Sequence, residues 1–455
     1  MSMAGLWPRV ERRRNNLITF WIVLGLFLAC RTSLRGVETN FSSQIQRLLR
    51  ENAEMRAQMQ KQQGVIEMLS RTVEQIHKVE AERAVEPGQI QNELKEAGAE
   101  SGASSGFSLG KVRISGEGGA GFFESGSDGS FPNSEFRVDE AKLFVDAPVW
   151  GEVYAFAELK LASHEASDLY VNMGELYLDF ENVSQLWNRE GQLNIRVGRL
   201  NIPFGEEYLA RDANLNPLIS HSLSDFWDVD EGVEIYGSVG KASYVVAVQN
   251  GGSSTTHDFT GDKAVVGRLS YDPKPWLHLS VSGMRTGDLD PNNDVLSAVW
   301  FGGGWFRSLG STNTTKFHVN AVEGDLEFRL PFDRLKAFGG YVNYGDNDPA
   351  ANNHRDVYYY AVEGAHDFTR HFYGAARFSQ IFAARGFPIV GSSPVGEYLF
   401  GPLTEEIWRL SLGLGYRWNS QLALKTEYSL EQGRLVGGLK RNHEDLFAAE
   451  AVFGF

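Results

Sequence analysis

From residue 107 onward, apolar and polar residues alternate with period two over stretches of about ten residues, each bounded by turn residues. That is the signature of β-strands with two chemically different faces. The strongest example is 407–418. One face carries Trp408, Leu410, Leu412, Leu414, Tyr416 and Trp418, and the other carries Ile407, Arg409, Ser411, Gly413, Gly415 and Arg417. Aromatic rings stand at both ends of the apolar face with aliphatics between, the order that a bilayer with two interfaces selects. Elsewhere Leu422, Leu424, Tyr428 and Leu430 oppose Lys425, Glu427 and Glu431, and Leu326, Phe328 and Leu330 oppose Asp325, Glu327 and Arg329. Leu176, Leu178 and Phe180 likewise oppose Glu175, Tyr177 and Asp179. A soluble barrel would fill its centre with apolar side chains, so charges recurring on one face predict a barrel with water inside.

Short turn-like links fall at 147–151, 239–241, 272–275, 331–333, 367–370 and 418–420, with a somewhat longer one at 184–191. Longer polar links lie between them. Strict alternation of brief and extended connections is expected of a transmembrane barrel with short periplasmic turns and long outer loops. The count is 16 antiparallel strands, with 18 as the alternative, if 292–315 is a single outer loop. The chain ends on a strand whose one face is Phe447, Ala449, Ala451, Phe453 and Phe455. A terminal Phe in that setting is similar to the closing strand of bacterial outer-membrane barrels.

The first hundred residues follow different rules. Arg9, Arg12, Arg13 and Arg14 precede an unbroken apolar run, 17–30, too short for a spanning helix of about 20 residues. Residues 1–30 are therefore expected to be an export signal. An uncleaved anchor is the alternative, and Phe27-Leu28-Ala29-Cys30 is an imperfect lipidation box. Over 38–84 the period changes to the heptad, with Ile45, Leu48, Met55, Met59, Ile66, Leu69, Val73 and Ile76 along a narrow seam that also holds Asn52 and Gln62. The spacing predicts a helical coiled coil whose polar seam residues fix register. The alternative is one amphipathic helix packed on its own protein. Residues 85–106, rich in Gly, Ser, Ala and Glu, read as a flexible linker, leaving 107–455 as the barrel domain.

Composition narrows the functional classes. Residues 106–455 hold 29 Lys plus Arg against 46 Asp plus Glu, a balance of −17 that argues against a nucleic-acid partner. A single cysteine excludes an internal disulfide framework and a Cys-rich metal site. The segment Gly116-Glu117-Gly118-Gly119-Ala120-Gly121 matches G-x-G-x-x-G, but no helix follows to bind a phosphate, and it reads as a flexible loop. His221 beside Ser222 and His366 beside Asp367 lack a nucleophile turn or a metal-ligand spacing. No enzyme and no cofactor are expected.

The run Leu193-Asn194-Ile195-Arg196-Val197-Gly198-Arg199-Leu200-Asn201-Ile202-Pro203-Phe204-Gly205 and the later Glu231-Gly232-Val233-Glu234-Ile235-Tyr236-Gly237 flank a long connection. With Glu175-Leu176-Tyr177-Leu178-Asp179-Phe180 upstream, they resemble the phosphate-selective porin O and P family of Gram-negative outer membranes across about residues 134–250. The resemblance implies a homotrimer of 16-stranded barrels with a loop folded into each pore. That loop would be 206–230, offering Glu206, Glu207, Arg211, Asp212, Asp225, Asp228 and Asp230 as constriction residues; an outer loop contacting lipopolysaccharide is the other reading. Lys160, Arg196, Arg329, Arg377, Arg409 and Lys425 fall on polar strand faces and are candidates to line the pore, as do Glu158 and Glu427. An anion-preferring lumen and one of mixed charge with little preference both remain open, because selectivity follows local rings rather than net charge. The expected activity is passive diffusion of small hydrophilic solutes, phosphate included, across the outer membrane. A competing reading makes the barrel an envelope tether, with 38–84 reaching a periplasmic or peptidoglycan partner.

Overall fold

The computed structural model describes residues 107–109, 111–162, 171–251, 258–291, 295–297, 301–302, 313–350, 353–387 and 404–455. The expected export signal, coiled coil and linker lie outside these residues. Sixteen antiparallel strands form one closed sheet. They are β1 (Val112–Ser125), β2 (Glu135–Trp150), β3 (Val153–Ala162), β4 (Asn172–Phe180), β5 (Asn194–Asn201), β6 (Val229–Val239), β7 (Ala242–Gln249) and β8 (Ala264–Lys274). The second half comprises β9 (Leu277–Arg285), β10 (Phe317–Arg329), β11 (Asp333–Asp346), β12 (Arg355–Asp367), β13 (Phe372–Phe387), β14 (Thr404–Arg417), β15 (Leu422–Leu435) and β16 (Leu446–Gly454). Each pairs with its neighbour in sequence, and β1 pairs with β16 from Glu117↔Gly454 to Ser125↔Leu446, closing the cylinder. A short extra strand, Phe107–Leu109, folds back on β1. The expected 16 staves and the alternation of short and long links are both present. A two-stranded hairpin, Val295–Ser297 with Phe301–Gly302, lies within the link expected to be a single outer loop.

The glycine-rich 116–121 segment is not a loop. It lies inside β1, paired with β2 on one side and β16 on the other. A Cβ at Gly116 or Gly118 would meet the rings of Phe455 or Phe453, and one at Gly121 would stand 2.4 Å from the Ala449 carbonyl oxygen. The glycines thus let the closing strands and the terminal phenylalanines come close, a packing demand that a loop reading overlooks.

The two faces separate as the alternation predicts. Leu412 and Leu414 point outward, 52% and 57% exposed, while Arg409, Ser411, Lys425 and Glu427 point inward and are buried. The interior nevertheless departs from a uniformly wet lumen. Phe317, Val319 and Ala321 of β10 face inward and join Val342, Tyr344, Val357, Tyr359, Ile381 and Ile407 in an apolar cluster. Ile202, Phe204, Leu223 and Phe226 also belong to it. All four belong to the β5–β6 connection. A second, smaller cluster packs Ile219 of that connection against Phe123, Phe131, Leu446 and Ala448. These apolar residues occupy the half of the barrel nearer the long links.

A candidate pore constriction

The connection between β5 and β6 occupies 202–228, and its side chains and backbone bond to strands around the inside of the barrel. Pro203-Phe204-Gly205 turns it inward. Gly205 has φ +67°, and a Cβ there would fall 2.1 Å from the Glu323 carboxylate. The Gly205 amide donates to Ser282 Oγ of β9 at 3.0 Å, and the Gly205 carbonyl accepts from Arg268 Nη1 at 2.5 Å. Only glycine suits that crowded left-handed position.

From there the loop crosses to the opposite wall. Lys425 Nζ donates to the carbonyls of Asn216 at 2.6 Å and Leu218 at 3.2 Å, and also to Ala213. Glu427 accepts the amides of Ile219 at 2.6 Å and Ser220 at 2.8 Å, together with the Ser220 hydroxyl. Arg377 pairs with Glu363 and donates to the Ser220 carbonyl at 2.7 Å and Asn216 Oδ1 at 2.9 Å. Arg409 pairs with Glu431 and reaches the His221 carbonyl at 3.3 Å. These four side chains point into the barrel interior and are buried there, and all four hold the loop. Backbone groups turned into a barrel interior need such partners, since buried amides and carbonyls left unmade are costly.

A second group fastens the near side. Lys142 Nζ sits among Asp212 at 2.8 Å, Glu117 at 3.3 Å and Glu140. The three carboxylates lie close enough to hold a metal ion, but the Lys142 ammonium occupies their centre. Burial alone would raise the Asp212 carboxyl; the Lys142 charge beside it prevails and holds it below the ordinary carboxylate range. Within the loop, Arg211 pairs with Asp225 at 2.7 Å and stacks 4.0 Å over the Trp227 ring. Lys160, from β3, stands 4.3 Å over the same ring.

The remaining expected residues divide by position. Glu206 bonds Ser270 and His278 at 2.9 Å each, and Glu207 accepts the Ser222 amide and hydroxyl at 2.9 and 2.5 Å. Glu158 accepts the Glu175 amide at 3.2 Å on the strand wall. Arg196 pairs with Asp179 and Glu234, and Arg329 with Glu327, in both cases without contacting the loop. Two candidates lie at the end of the connection or just beyond it. Asp228 caps the amide of Val229 at 2.7 Å where β6 begins. Asp230 lies within β6 and accepts the Gly251 amide at 2.6 Å, so it ties down the next link instead. The expected 206–230 span thus takes in the first two residues of β6. Lys142, Arg268 and Ser282 were not singled out from sequence, since a basic or hydroxyl residue on a polar strand face carries no mark of what will pack against it.

A small gap of about 40 Å³ remains beside the bonds that Arg377 makes to Asn216 and Ser220. It lies between Glu206, Glu207, Ala210, Asn216, Pro217 and His221 of the loop and the wall of β10 to β13.

No protein-family model matches the chain. No curated protein matches it either. Among solved structures, the chain is similar to the outer membrane channel DcaP of Acinetobacter baumannii, with 14% identity and a TM-score of 0.50 over 77% of this chain and 100% of that one. It is also similar to OmpT, an outer membrane protein of Vibrio cholerae, with 11% identity and a TM-score of 0.51 over 77% of this chain and 100% of that one. At such identities the likeness establishes the barrel fold.

Proposed function

We propose that this chain is an outer-membrane porin, a passive channel in which the 202–228 loop narrows the lumen. The observation that carries the reading is the division of the wall. Apolar residues such as Leu412 and Leu414 face outward, and ionised ones on alternate positions enclose a loop bonded to both sides of the barrel. A bilayer-spanning barrel needs the first, and a restricted aqueous path the second. The structural likeness to an outer membrane channel supports it.

The homotrimer implied by the family resemblance draws support from the outer face, where Phe122, Phe136 and Phe447 cluster at 5.2 and 6.5 Å between ring centroids and Phe136 is 85% exposed. Phosphate preference draws none from the basic residues, because Arg377, Arg409 and Lys425 are engaged by carboxylates and loop carbonyls. A hydrated anion would have to displace those partners. Planar-bilayer recording of the purified protein tests the reading: ohmic conductance steps are expected, grouped in threes for a trimer. Absence of any step would overturn the channel.

A further inference from the structure

A second concavity lies on the outer face of the barrel, away from the lumen. Its volume is about 350 Å³, and Arg285, Gly287, Asp288, His318 and Asn320 line it. Arg285 ends β9 and is paired with Asn320 of β10. Phe317, Val319 and Ala321 join the interior cluster, so His318, Asn320 and Val322, which alternate with them, turn outward. Two glycines make the room. Gly287 has φ +71°, and a Cβ on it would stand 3.0 Å from the Asp262 side chain. A Cβ on Gly345 would stand 2.9 Å from the His318 ring.

Strand geometry gives the height of this notch. Trp276 stacks on Phe328 at the foot of β9 and β10, beside a short link, with ring centroids 6.2 Å apart. Above them the outward residues are apolar, and Val265, Leu279, Val281 and Val322 are all exposed. From Trp276 to Arg285, at about 3.4 Å per residue and a tilt of about 40°, the climb is about 23 Å. The apolar band of an outer-membrane barrel is about 25 Å tall, so the notch opens at the level of the outer-leaflet headgroups. It also faces away from the proposed subunit contact, since β9 stands half-way round the cylinder from β1 and its cluster of Phe122, Phe136 and Phe447.

The charges of the notch favour an anion. Asp288 is the one carboxylate in the lining, and Lys316 pairs with it at 3.1 Å. Asp262 stands behind, accepting the Asp288 amide at 3.2 Å. The side chains of Arg285, His318 and Asn320 make no hydrogen bond or ion pair among the described residues. A directly opposed cross-strand pair such as Arg285 and Asn320 has its Cβ atoms about 5 Å apart, and the next residue on that face follows about 7 Å along the strand. The three side chains therefore reach one small anion. An arginine on the lipid-facing side is costly at mid-bilayer and far less so at the interface, where a counter-ion can meet it.

We propose that this notch binds a phosphate group of an anionic glycolipid in the outer leaflet. The Arg285 guanidinium offers two parallel N–H donors to the phosphate oxygens, and Asn320 and His318 add one each. The inference needs the barrel in its membrane but not conduction, so it stands apart from the channel reading.

The test titrates the purified full chain in detergent with diphosphoryl lipid A, with the same lipid stripped of its phosphates, and with inorganic phosphate. EDTA is present throughout to exclude a metal bridge to Asp288, and native mass spectrometry counts the bound lipid. The phosphorylated lipid should bind about ten-fold more tightly than the stripped one, and Arg285→Gln should abolish that difference, the scale of hydrogen bonds to a charged group. Asp288→Asn releases Lys316 toward the notch and should tighten binding about two-fold, the scale of an exposed ion pair and a gain that a misfolded variant cannot imitate. Equal binding of the two lipids, parental affinity in Arg285→Gln, or weaker binding in Asp288→Asn would each overturn the proposal. Inorganic phosphate displacing the lipid at equal concentration would overturn it too, by assigning the notch to the free ion.

Discussion

Two sectors of the same wall use similar residues to opposite ends. Along β13 to β15, Arg377, Arg409, Lys425 and Glu427 each contact the loop and are nearly inaccessible, with exposures of 5%, 2%, 3% and 1%. Along β10 and β11, Asp325, Glu327 and Lys336 line a gap and stay partly exposed. Both sets sit on polar faces of alternating strands, and both would be counted alike as lumen charges. What separates them is whether backbone from the loop lies within reach. Where it does, a charge becomes a fastener for the loop. Where it does not, a charge remains available to a solute. On the proposed channel reading, the position of one loop decides which charges meet a passing ion.

The fastened sector should break most visibly. Glu427→Ala removes the acceptor of two loop amides and one hydroxyl and leaves Lys425 and Arg377 with less compensation. Removing one member of a buried charged network costs about 3–5 kcal/mol. The loop should detach, seen as protease cleavage within 206–222 and as larger single-channel conductance. Unchanged conductance and protease resistance together would mean that the loop is held chiefly by its apolar stems.

Arg377→Lys is the milder version. The ammonium keeps the charge but cannot pair with Glu363 and also reach both the Ser220 carbonyl and Asn216. A loss of about 1–3 kcal/mol, the worth of hydrogen bonds to a charged group, is expected. Chemical denaturation of the detergent-solubilised protein, compared with its parent, measures it.

The open sector should respond in the opposite sense. Lys336→Ala touches no ion pair among the described residues, and stability should stay within about 0.5 kcal/mol. The reversal potential should nevertheless move toward K+. A large drop in stability with no shift in reversal potential would erase the distinction between the sectors.

The barrel was legible because its information is local and periodic. Alternation at 407–418 and 422–431, short links such as 239–241, and the terminal Phe together specify strand number, facing and closure. The interior was less legible, because inward apolar residues look like outward ones in sequence. Phe317, Val319 and Ala321 belong to the interior cluster, while Val322 is 53% exposed on the outside. Only the loop's position gives that inward stripe something to pack on. The inward direction of Arg409, Lys425 and Glu427 could be read from their strands. Their bonds to residues about two hundred positions earlier could not, since nothing in the spacing encodes contacts of that range. Gly116 to Gly121 misled for a similar reason, being shaped by the closing strand at the far end of the chain.

The smallest expected effect is on acidification at the near-side fastener. Asp212 is held below the ordinary carboxylate value by Lys142, so it binds protons more weakly folded than unfolded. Its contribution is present in full above the unfolded value of about 4 and fades as pH falls through the lower native value. Asp212 is 41% exposed as a side chain, so solvent screening keeps the loss modest. Hydrogen exchange of the Asn216 amide, which bonds to the Asp212 carbonyl at 2.9 Å, reports locally on this end of the loop. Protection there should fall on acidification below pH 4 while the Glu427-bound Ile219 and Ser220 amides stay slow. Asp212→Asn should lower protection near neutral pH and flatten its acid dependence. If instead the Ile219 and Ser220 amides lost protection first, the far wall would be the weaker grip, and the ranking of fasteners drawn from the bond pattern would be reversed.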